Sequence, residues 1–325
     1  MRTLGCTERI GVLVAGLLII CRGVRAAVIF GPGSSTHDLK PFQKNSESSW
    51  FIGAPATSSE ADAILIFGGD GTVHRHLPRL VKLRLPVLVV PCGSGNDFAR
   101  ALGLRGVRDS LMAWHKFACI GNNVRTIDLG VVAPLITSPL NTDRYGAGET
   151  LVQHYFGCVG GVGLDAETAR RANQLPRWLR AHGGYILSLL PALLRFAPIA
   201  MKISVPGTDD ASTFAVRSTK PIIVAAFANA PAYGGGMKIA PCAQLDDGNL
   251  DVCIVGGMNK LKLFFLFPTI YFGRHLSLPQ VEYFQTERLR VETEKPLDVY
   301  ADGEYVCRTP VEVSVARKAL RVIVA

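Results

Sequence analysis

Two short glycine-rich strings carry residue types suited to holding phosphate. Gly68-Gly69-Asp70-Gly71-Thr72 closes an apolar run and opens a helix-forming stretch. Glycines at such a junction let backbone N–H groups approach a polyphosphate closely, and the helix N-terminus behind them adds a favourable dipole. Asp70 is a hard oxygen donor suited to the Mg²⁺ that accompanies ATP, or else it simply caps a tight strand-to-helix turn. The second string, from Pro91 to Asp97, repeats the arrangement: Gly93, Ser94 and Gly95, then Asn96 and Asp97 opening another helix. Two such turns on adjacent parallel strands would enclose the crevice in which open α/β sheets bind ligands. No GxxxxGKS or GxxxxGKT string occurs, which excludes a P-loop enzyme.

These turns need buried strands to carry them. Apolar runs at residues 26–32, 61–69 and 86–93 read as strands of a parallel sheet, with helical sequence after Thr72 and over residues 96–104. Pro78 is expected to limit the first of those helices, and residues 37–49 have only modest helical character. Strands alternating with helices give a parallel α/β layer. After about Val132 the character changes to short strand-like runs separated by turn residues, interrupted by helical stretches at 166–196 and 260–271. That pattern predicts a β-sandwich or barrel. The expected division is an N-terminal extension over 1–25, an α/β nucleotide-binding domain over 26–132 and a β-sandwich domain over 133–325.

Bulk properties agree with a folded, two-domain protein. The chain has 325 residues, 48% of them hydrophobic and 19% charged. A formal charge of +9, from 35 Lys and Arg against 26 Asp and Glu, favours anionic partners such as nucleotides or acidic lipid headgroups. Nucleic acid is not expected as a partner, because no recognisable binding module is present. The eight cysteines have no CxxC pair or zinc-type spacing, and most are expected to be buried thiols in a reducing compartment. Arg2 and Arg9 precede an apolar run over 10–20, too short to span a bilayer comfortably. A misassigned start or unstructured extension, a short membrane-contacting helix and an export signal are the three readings of this segment. Use of ATP favours the first two.

Taken in order, the strings resemble the diacylglycerol kinase catalytic family, which includes sphingosine kinases and bacterial soluble lipid kinases. GGDGT and the PCGSGNDFARALG string match its two nucleotide loops. IDLG at 127–130, GVGLDAETARR at 161–171, the 229–252 segment ending in LDDGNLDV, and YADGEY at 300–305 also match. The family joins an α/β nucleotide domain to a β-sandwich, as the elements above already suggest.

The resemblance implies an ATP-dependent lipid kinase that transfers the γ-phosphoryl group to a lipid hydroxyl, most readily that of diacylglycerol, giving phosphatidic acid. It puts Gly68, Gly69, Asp70, Gly71, Thr72, Gly93, Ser94, Asn96 and Asp97 at nucleotide-binding positions, with Ser94 where a threonine is common. Asp302 falls on the proton acceptor, with Glu304 two residues on, although Asp-Gly is also a hairpin signal. Asp247, with the backbone carbonyls of Gln244 and Asn249, matches a structural Mg²⁺ site, although Asp-Asp-Gly is also an ordinary turn. ATP and Mg²⁺ are thus the implied cofactors. Asp165 and the glycines at 234–236 are expected to shape the cleft.

Two departures weaken the expectation of activity: Arg75 stands where the family usually has glutamate, and the segment ahead of GGDGT is short. Arg170, Arg171, Arg177, Arg180 and Arg195, with the apolar helices at 170–195 and 261–272, could meet an anionic membrane and admit a lipid tail, or could be core. The implied location is cytoplasmic, peripheral to the inner face of the membrane, and a homo-oligomer is open. NAD kinase shares GGDGT but not the GSGNDFAR and DGE elements. A silent nucleotide- or lipid-binding regulator is the remaining alternative.

Overall fold

The computed structural model of the chain describes residues 11–14, 17–20, 23–44, 47–135, 153–175, 184–207 and 213–325. The described residues of the N-terminal apolar run are extended: β1 (Gly11–Val14) pairs antiparallel with β2 (Leu17–Ile20). Among the described residues no helix is long and apolar enough to cross a membrane.

The α/β layer follows. It comprises β3 (Arg25–Phe30), α1 (Thr36–Gln43), β4 (Ser49–Ile52), β5 (Ala63–Gly68), α2 (Asp70–Leu83), β6 (Val87–Pro91), α3 (Asp97–Ala101) and α4 (Val107–Cys119). The strands run parallel in the order β4-β3-β5-β6. β5 is buried along its whole length, which explains its unbroken apolar sequence. Phe42 of α1 meets Phe67 of β5 edge-on at 5.2 Å, and Trp114 of α4 packs on Trp50 of β4 at 5.1 Å.

A capping box of Ser35 and Asp38 starts α1. Helix α2 buries Val73, Leu77, Leu80 and Leu83, a three-to-four-residue spacing that seats one face on the sheet. Pro78 lies on its exposed side and cannot donate to the His74 carbonyl. The packed face nevertheless carries the helix through to Leu83, further than the proline suggested.

The second layer begins with β7 (Val124–Pro134), β8 (His154–Phe156), β9 (Val159–Gly163), α5 (Leu164–Gln174) and α6 (Gly184–Arg195). It continues with β10 (Ile199–Pro206), β11 (Phe214–Ser218), β12 (Pro221–Ala228), β13 (Leu250–Gly256), α7 (Lys260–Ile270), β14 (Val281–Thr286), β15 (Arg288–Thr293), β16 (Asp298–Ala301), β17 (Glu304–Arg308) and β18 (Val311–Ile323). One face of the sandwich is β17-β16-β9-β12-β13-β14 and the other is β11-β10-β15-β18-β7-β8. Val162, Phe227, Val252 and Val299 from the first meet Ile203, Leu289, Val291 and Val313 from the second in a buried core. The fold is therefore an α/β layer joined to a β-sandwich, as expected.

The long strand β18 ties the two together. It pairs antiparallel with β7 from Val311↔Pro134 to Ile323↔Val124, and near its end Val322 pairs parallel with Val87 of β6. The helical stretch at 166–196 holds two helices, α5 and α6, and Arg177 and Arg180 lie outside the described residues. Cys92, Cys158, Cys242, Cys253 and Cys307 are free, Cys242 on the surface, whereas Cys119 is in a disulfide.

Candidate active site

The two glycine turns lie side by side because β5 and β6 are in register at Gly68↔Pro91. They touch. A Cβ added to Gly93 would sit 2.5 Å from Gly69 Cα, so neither position accepts a side chain without moving the other turn. Buried Thr72 turns its hydroxyl back toward Gly68, where an added Cβ would lie 2.6 Å away. Asp70 caps the neighbouring helix: its carboxylate accepts the Asp97 and Phe98 N–H groups at the start of α3, both at 3.0 Å. Asn96, in the left-handed region at φ 54°, closes the second turn on itself. Its Oδ1 accepts from Gly93 N at 2.9 Å and its Nδ2 donates to Gly93 O at 2.5 Å. Asp97 accepts from Arg100 at 2.9 Å and from Gly235 N at 2.8 Å, drawing the 234–236 run against the same turns. Ser94 is exposed at the crest.

The late acidic segment meets this pair of turns. Asp302 and Gly303, at φ 50° and 82°, form the tight two-residue connection between β16 and β17, so the hairpin reading holds. It does not compete with a chemical role, because the turn is what aims the carboxylate. Asp302 Oδ1 accepts from Cys158 N at 2.8 Å and Val159 N at 3.3 Å. Its Oδ2 takes Gly157 N at 2.7 Å and lies 3.1 Å from His74 Nδ1 on α2. Glu304 lies against the first turn of α2, where a Cβ on Gly71 would be 2.8 Å from its Oε1. Asn173 of α5 donates to Gly303 O at 2.7 Å, bracing the hairpin from the far side.

Negative charge is concentrated here. Burial, with the Asp97 charge, pushes the Asp70 carboxyl up to about 6, against the pull of the two N–H groups it accepts. Asp97 is raised mainly by burial, in spite of Gly235 and Arg100. For His74 burial acts to lower the pKa, but the hydrogen bond and charge of Asp302, with the charge of Glu304, leave it raised above 6.5. Burial beside Asp302, Asp70 and Asp97 holds the Cys158 thiol well above its ordinary range.

The Asp247 segment is elsewhere. Asp128 of β7 pins it by accepting Gly248 N at 2.8 Å, and Asn249 lines a hollow with Gln285, Arg288 and Arg317 that none of the glycine-turn residues reaches. Asp247 Oδ1 accepts Asn249 N at 2.9 Å and Oδ2 accepts Gln285 Nε2 at 3.2 Å, while Gln244 is exposed nearby in sequence. One carboxylate with main-chain carbonyls is an all-oxygen donor set of the kind a hard dication takes. Among the described residues there is no group of three or more His, Cys, Asp or Glu side chains that could hold a metal.

Beyond Asp165, whose Oδ1 accepts from Tyr233 OH at 2.6 Å, an apolar cavity opens between α5, α6 and α7, lined by Leu164, Leu189, Leu193, Leu263 and Phe267. The outer side of α7 leaves Leu261, Phe264 and Phe265 exposed, with Phe272 just beyond it, beside exposed Lys260 and Lys262. The apolar helix is thus core on one side and bare on the other. Arg170 and Arg171 both pair with Glu167, at 2.7 and 2.6 Å. Arg75 is exposed on α2.

Sequence reasoning singled out Arg75 and passed over His74, its neighbour, and the amides of Gly157, Cys158 and Val159. The available signal was spacing: His74 lies three residues after Gly71 and four after Asp70, on the helical face that carries the glycine turn.

Residues 37–132 match the diacylglycerol kinase catalytic domain, and residues 158–324 match the YegS C-terminal NAD kinase beta sandwich-like domain. The chain is 32% identical over 270 residues to a diacylglycerol kinase of Mycobacterium tuberculosis, covering 83% of this chain and 79% of that one. It is 25% identical over 307 residues to a diacylglycerol kinase of Bacillus subtilis, covering 86% and 90%. The crystal structure of a diacylglycerol kinase from Bacillus anthracis superposes with a TM-score of 0.62 at 17% identity, covering 93% of this chain and 97% of that one.

Proposed function

Because the chain belongs to the diacylglycerol kinase family of lipid kinases, we propose that it transfers the γ-phosphoryl group of ATP to a lipid hydroxyl, with diacylglycerol as the leading substrate and phosphatidic acid as product. The observation that carries this reading is convergence: the Asp302–Glu304 hairpin lies against His74 and Gly71 on the helix that opens from GGDGT. The nucleotide phosphates lie over Gly68–Thr72 and Gly93–Asp97, with backbone N–H groups and the N-terminus of α2 as their partners. Ser94, exposed at the crest, offers its hydroxyl to the same ligand.

Three carboxylates, Asp70, Asp97 and Asp302, would repel a bare polyphosphate brought beside them, which favours a nucleotide accompanied by a dication. Mg²⁺ bound with ATP would supply charge neutralisation of the phosphates. A second, structural Mg²⁺ would be held by Asp247 with the carbonyls of Gln244 and Asn249. Phosphoryl transfer asks little covalent work of the protein, so positioning and charge do most of it. The Asp302 cluster receives the hydroxyl proton as the phosphoryl group moves.

The lipid enters from the side of α7. Its exposed Leu261, Phe264 and Phe265, next to Lys260 and Lys262, suit the interface of an anionic bilayer. This corresponds to a peripheral enzyme on the cytoplasmic face of the membrane. Incubating the protein with γ-labelled ATP, Mg²⁺ and a total lipid extract, with NAD in a parallel tube, tests the proposal. Label in a chloroform-soluble phospholipid is expected. Label on NAD alone, or on neither, refutes it.

A further inference from the structure

A cavity of about 420 Å³ opens between α5, α6 and the end of the β16–β17 hairpin remote from Asp302. Its walls carry Arg170 and Arg171 of α5, Arg195 at the end of α6 and Arg308 of β17. Among the described residues only two carboxylates line it with them, Glu167 and Asp298, so four guanidinium groups against two carboxylates leave two positive charges unmatched.

The pairing within the cavity is uneven. Arg170 and Arg171 share the one carboxylate of Glu167: Arg170 donates to both of its oxygens, at 2.7 and 2.9 Å, and Arg171 donates to Oε1 at 2.6 Å. The Arg170 hydrogen bond outweighs the effect of burial and holds the Glu167 carboxyl below its usual range, so that carboxylate stays ionised and engaged. Arg308 donates to Asp298 Oδ1 at 2.8 Å, across the hairpin from its register partner. Arg195 is exposed and has no ion-pair partner among the described residues. Like charges gathered in one hollow repel, and salt screens half-buried ones such as Arg170 and Arg171 poorly. An anion that collects them removes that repulsion.

We infer that this cavity is a second anion site, built to hold the phosphate group of an organic phosphomonoester. Such a group carries about −1.5 to −2 charge near neutral pH, which matches the unmatched positive charge. Its terminal oxygens accept from guanidinium forks in pairs, and forks that arrive from three separate elements suit a tetrahedral group better than a planar carboxylate. The hollow is larger than a phosphate alone fills, and Ala166, Phe196, Ile199 and Leu297 line the remainder, so the group arrives attached to an organic body. The headgroup of a phosphatidate lipid and a small soluble ester such as glycerol 3-phosphate share this chemistry.

The site is separate from the glycine turns. None of its lining residues belongs to either turn, and Asp298 precedes Asp302 by four residues, about 13 Å of extended chain. It therefore does not rest on the kinase reading above.

Calorimetric titration of the full-length protein with glycerol 3-phosphate tests the inference, with ADP and Mg²⁺ present to occupy the proposed nucleotide side. The wild type is expected to bind, and Arg195→Gln and Arg308→Gln, which each remove one charge from a different element, are expected to weaken binding about tenfold or more at unchanged melting temperature. Should one variant not fold, the other decides. Co-sedimentation with phosphatidate vesicles, against phosphatidylglycerol vesicles of equal surface charge, identifies the source. A loss in the variants confined to phosphatidate vesicles assigns the site to a lipid headgroup, and weakened glycerol 3-phosphate binding without that loss assigns it to a soluble ester. A wild type that binds neither probe, variants that match it on both, or variants that lose the two kinds of vesicle equally while glycerol 3-phosphate binding is unaffected overturn the inference. Both variants should transfer labelled phosphate to diacylglycerol in neutral detergent micelles at the wild-type rate, and a loss there would place the arginines in the reaction site and overturn it too. A wild type that transfers no label fails the kinase reading alone, and the titration still decides this one.

Discussion

At the turns after β5 and β6, the proposed nucleotide side, the atoms offered to a ligand belong to the main chain. Around α5, α6 and α7, the proposed lipid side, they belong to side chains. The first wall has almost no freedom of composition: Gly69 and Gly93 touch, Asp70 caps the helix behind the other turn, and Asn96 folds back on its own loop. The second wall asks only for apolar bulk on one side of α7 and exposed aromatics on the other. A wall made of backbone must be written in a fixed string of residues. A wall made of side chains can be written in many ways, which is why the nucleotide side stands out in the sequence and the identity of the lipid does not.

The contrast can be broken most forcefully at Gly93. Gly93→Ala forces a methyl into Gly69 Cα, and the expected loss is about 3 kcal/mol of stability in a denaturant titration, with ATP binding lost alongside. An unchanged midpoint would mean that the two turns are not in contact.

Asp70 sharpens the same side. Its folded-state carboxyl lies near 6 against 3.8 in the open chain, so folding retains a proton that the unfolded chain releases between those values. The stabilising contribution is full below 3.8 and lost as pH rises through about 6. Relative to Asp70→Asn, which does not titrate, the wild type should therefore lose up to about 3 kcal/mol between pH 4 and 7. A difference independent of pH contradicts the assignment.

On the side-chain wall, Phe265→Asp should weaken co-sedimentation with anionic vesicles by about tenfold or more, while melting stays at the wild-type temperature. Equal vesicle binding would remove α7 from the membrane surface. The smallest effect is expected at Arg75, exposed on α2: Arg75→Ala should change stability by less than about 0.5 kcal/mol and leave ATP affinity alone. A large loss of affinity would instead give the guanidinium a phosphate to hold.

The same distinction explains what could be read before any coordinates. The strands at β3, β5 and β6 announce themselves because burial on both faces demands unbroken apolar sequence, and the glycine turns because close backbone approach demands glycine. Strand β4 escaped notice: four residues at the sheet edge, Ser49 to Ile52, give no period to detect. In the N-terminal apolar run composition alone does not separate a helix from strands, and the described residues pair as β1 and β2. Strand β18 pairs with β7, β15 and β6, and no local property of its thirteen residues encodes that reach.

Asp302 was legible through family resemblance, but its amide nest and its contact with His74 were not. They depend on a pairing across 228 residues of sequence, and a lone histidine on a helix carries no signal of its own.

The central claim is that the backbone wall and the acidic hairpin form one reaction site. It is tested most directly by single-turnover transfer of labelled phosphate from ATP to lipid in Asp302→Asn beside the wild type, with ATP affinity measured on the same samples. Loss of the Asp302 carboxylate should slow transfer about a thousandfold or more while nucleotide binding persists. Transfer at the wild-type rate would show that the hairpin and the glycine turns, however close, do not work together.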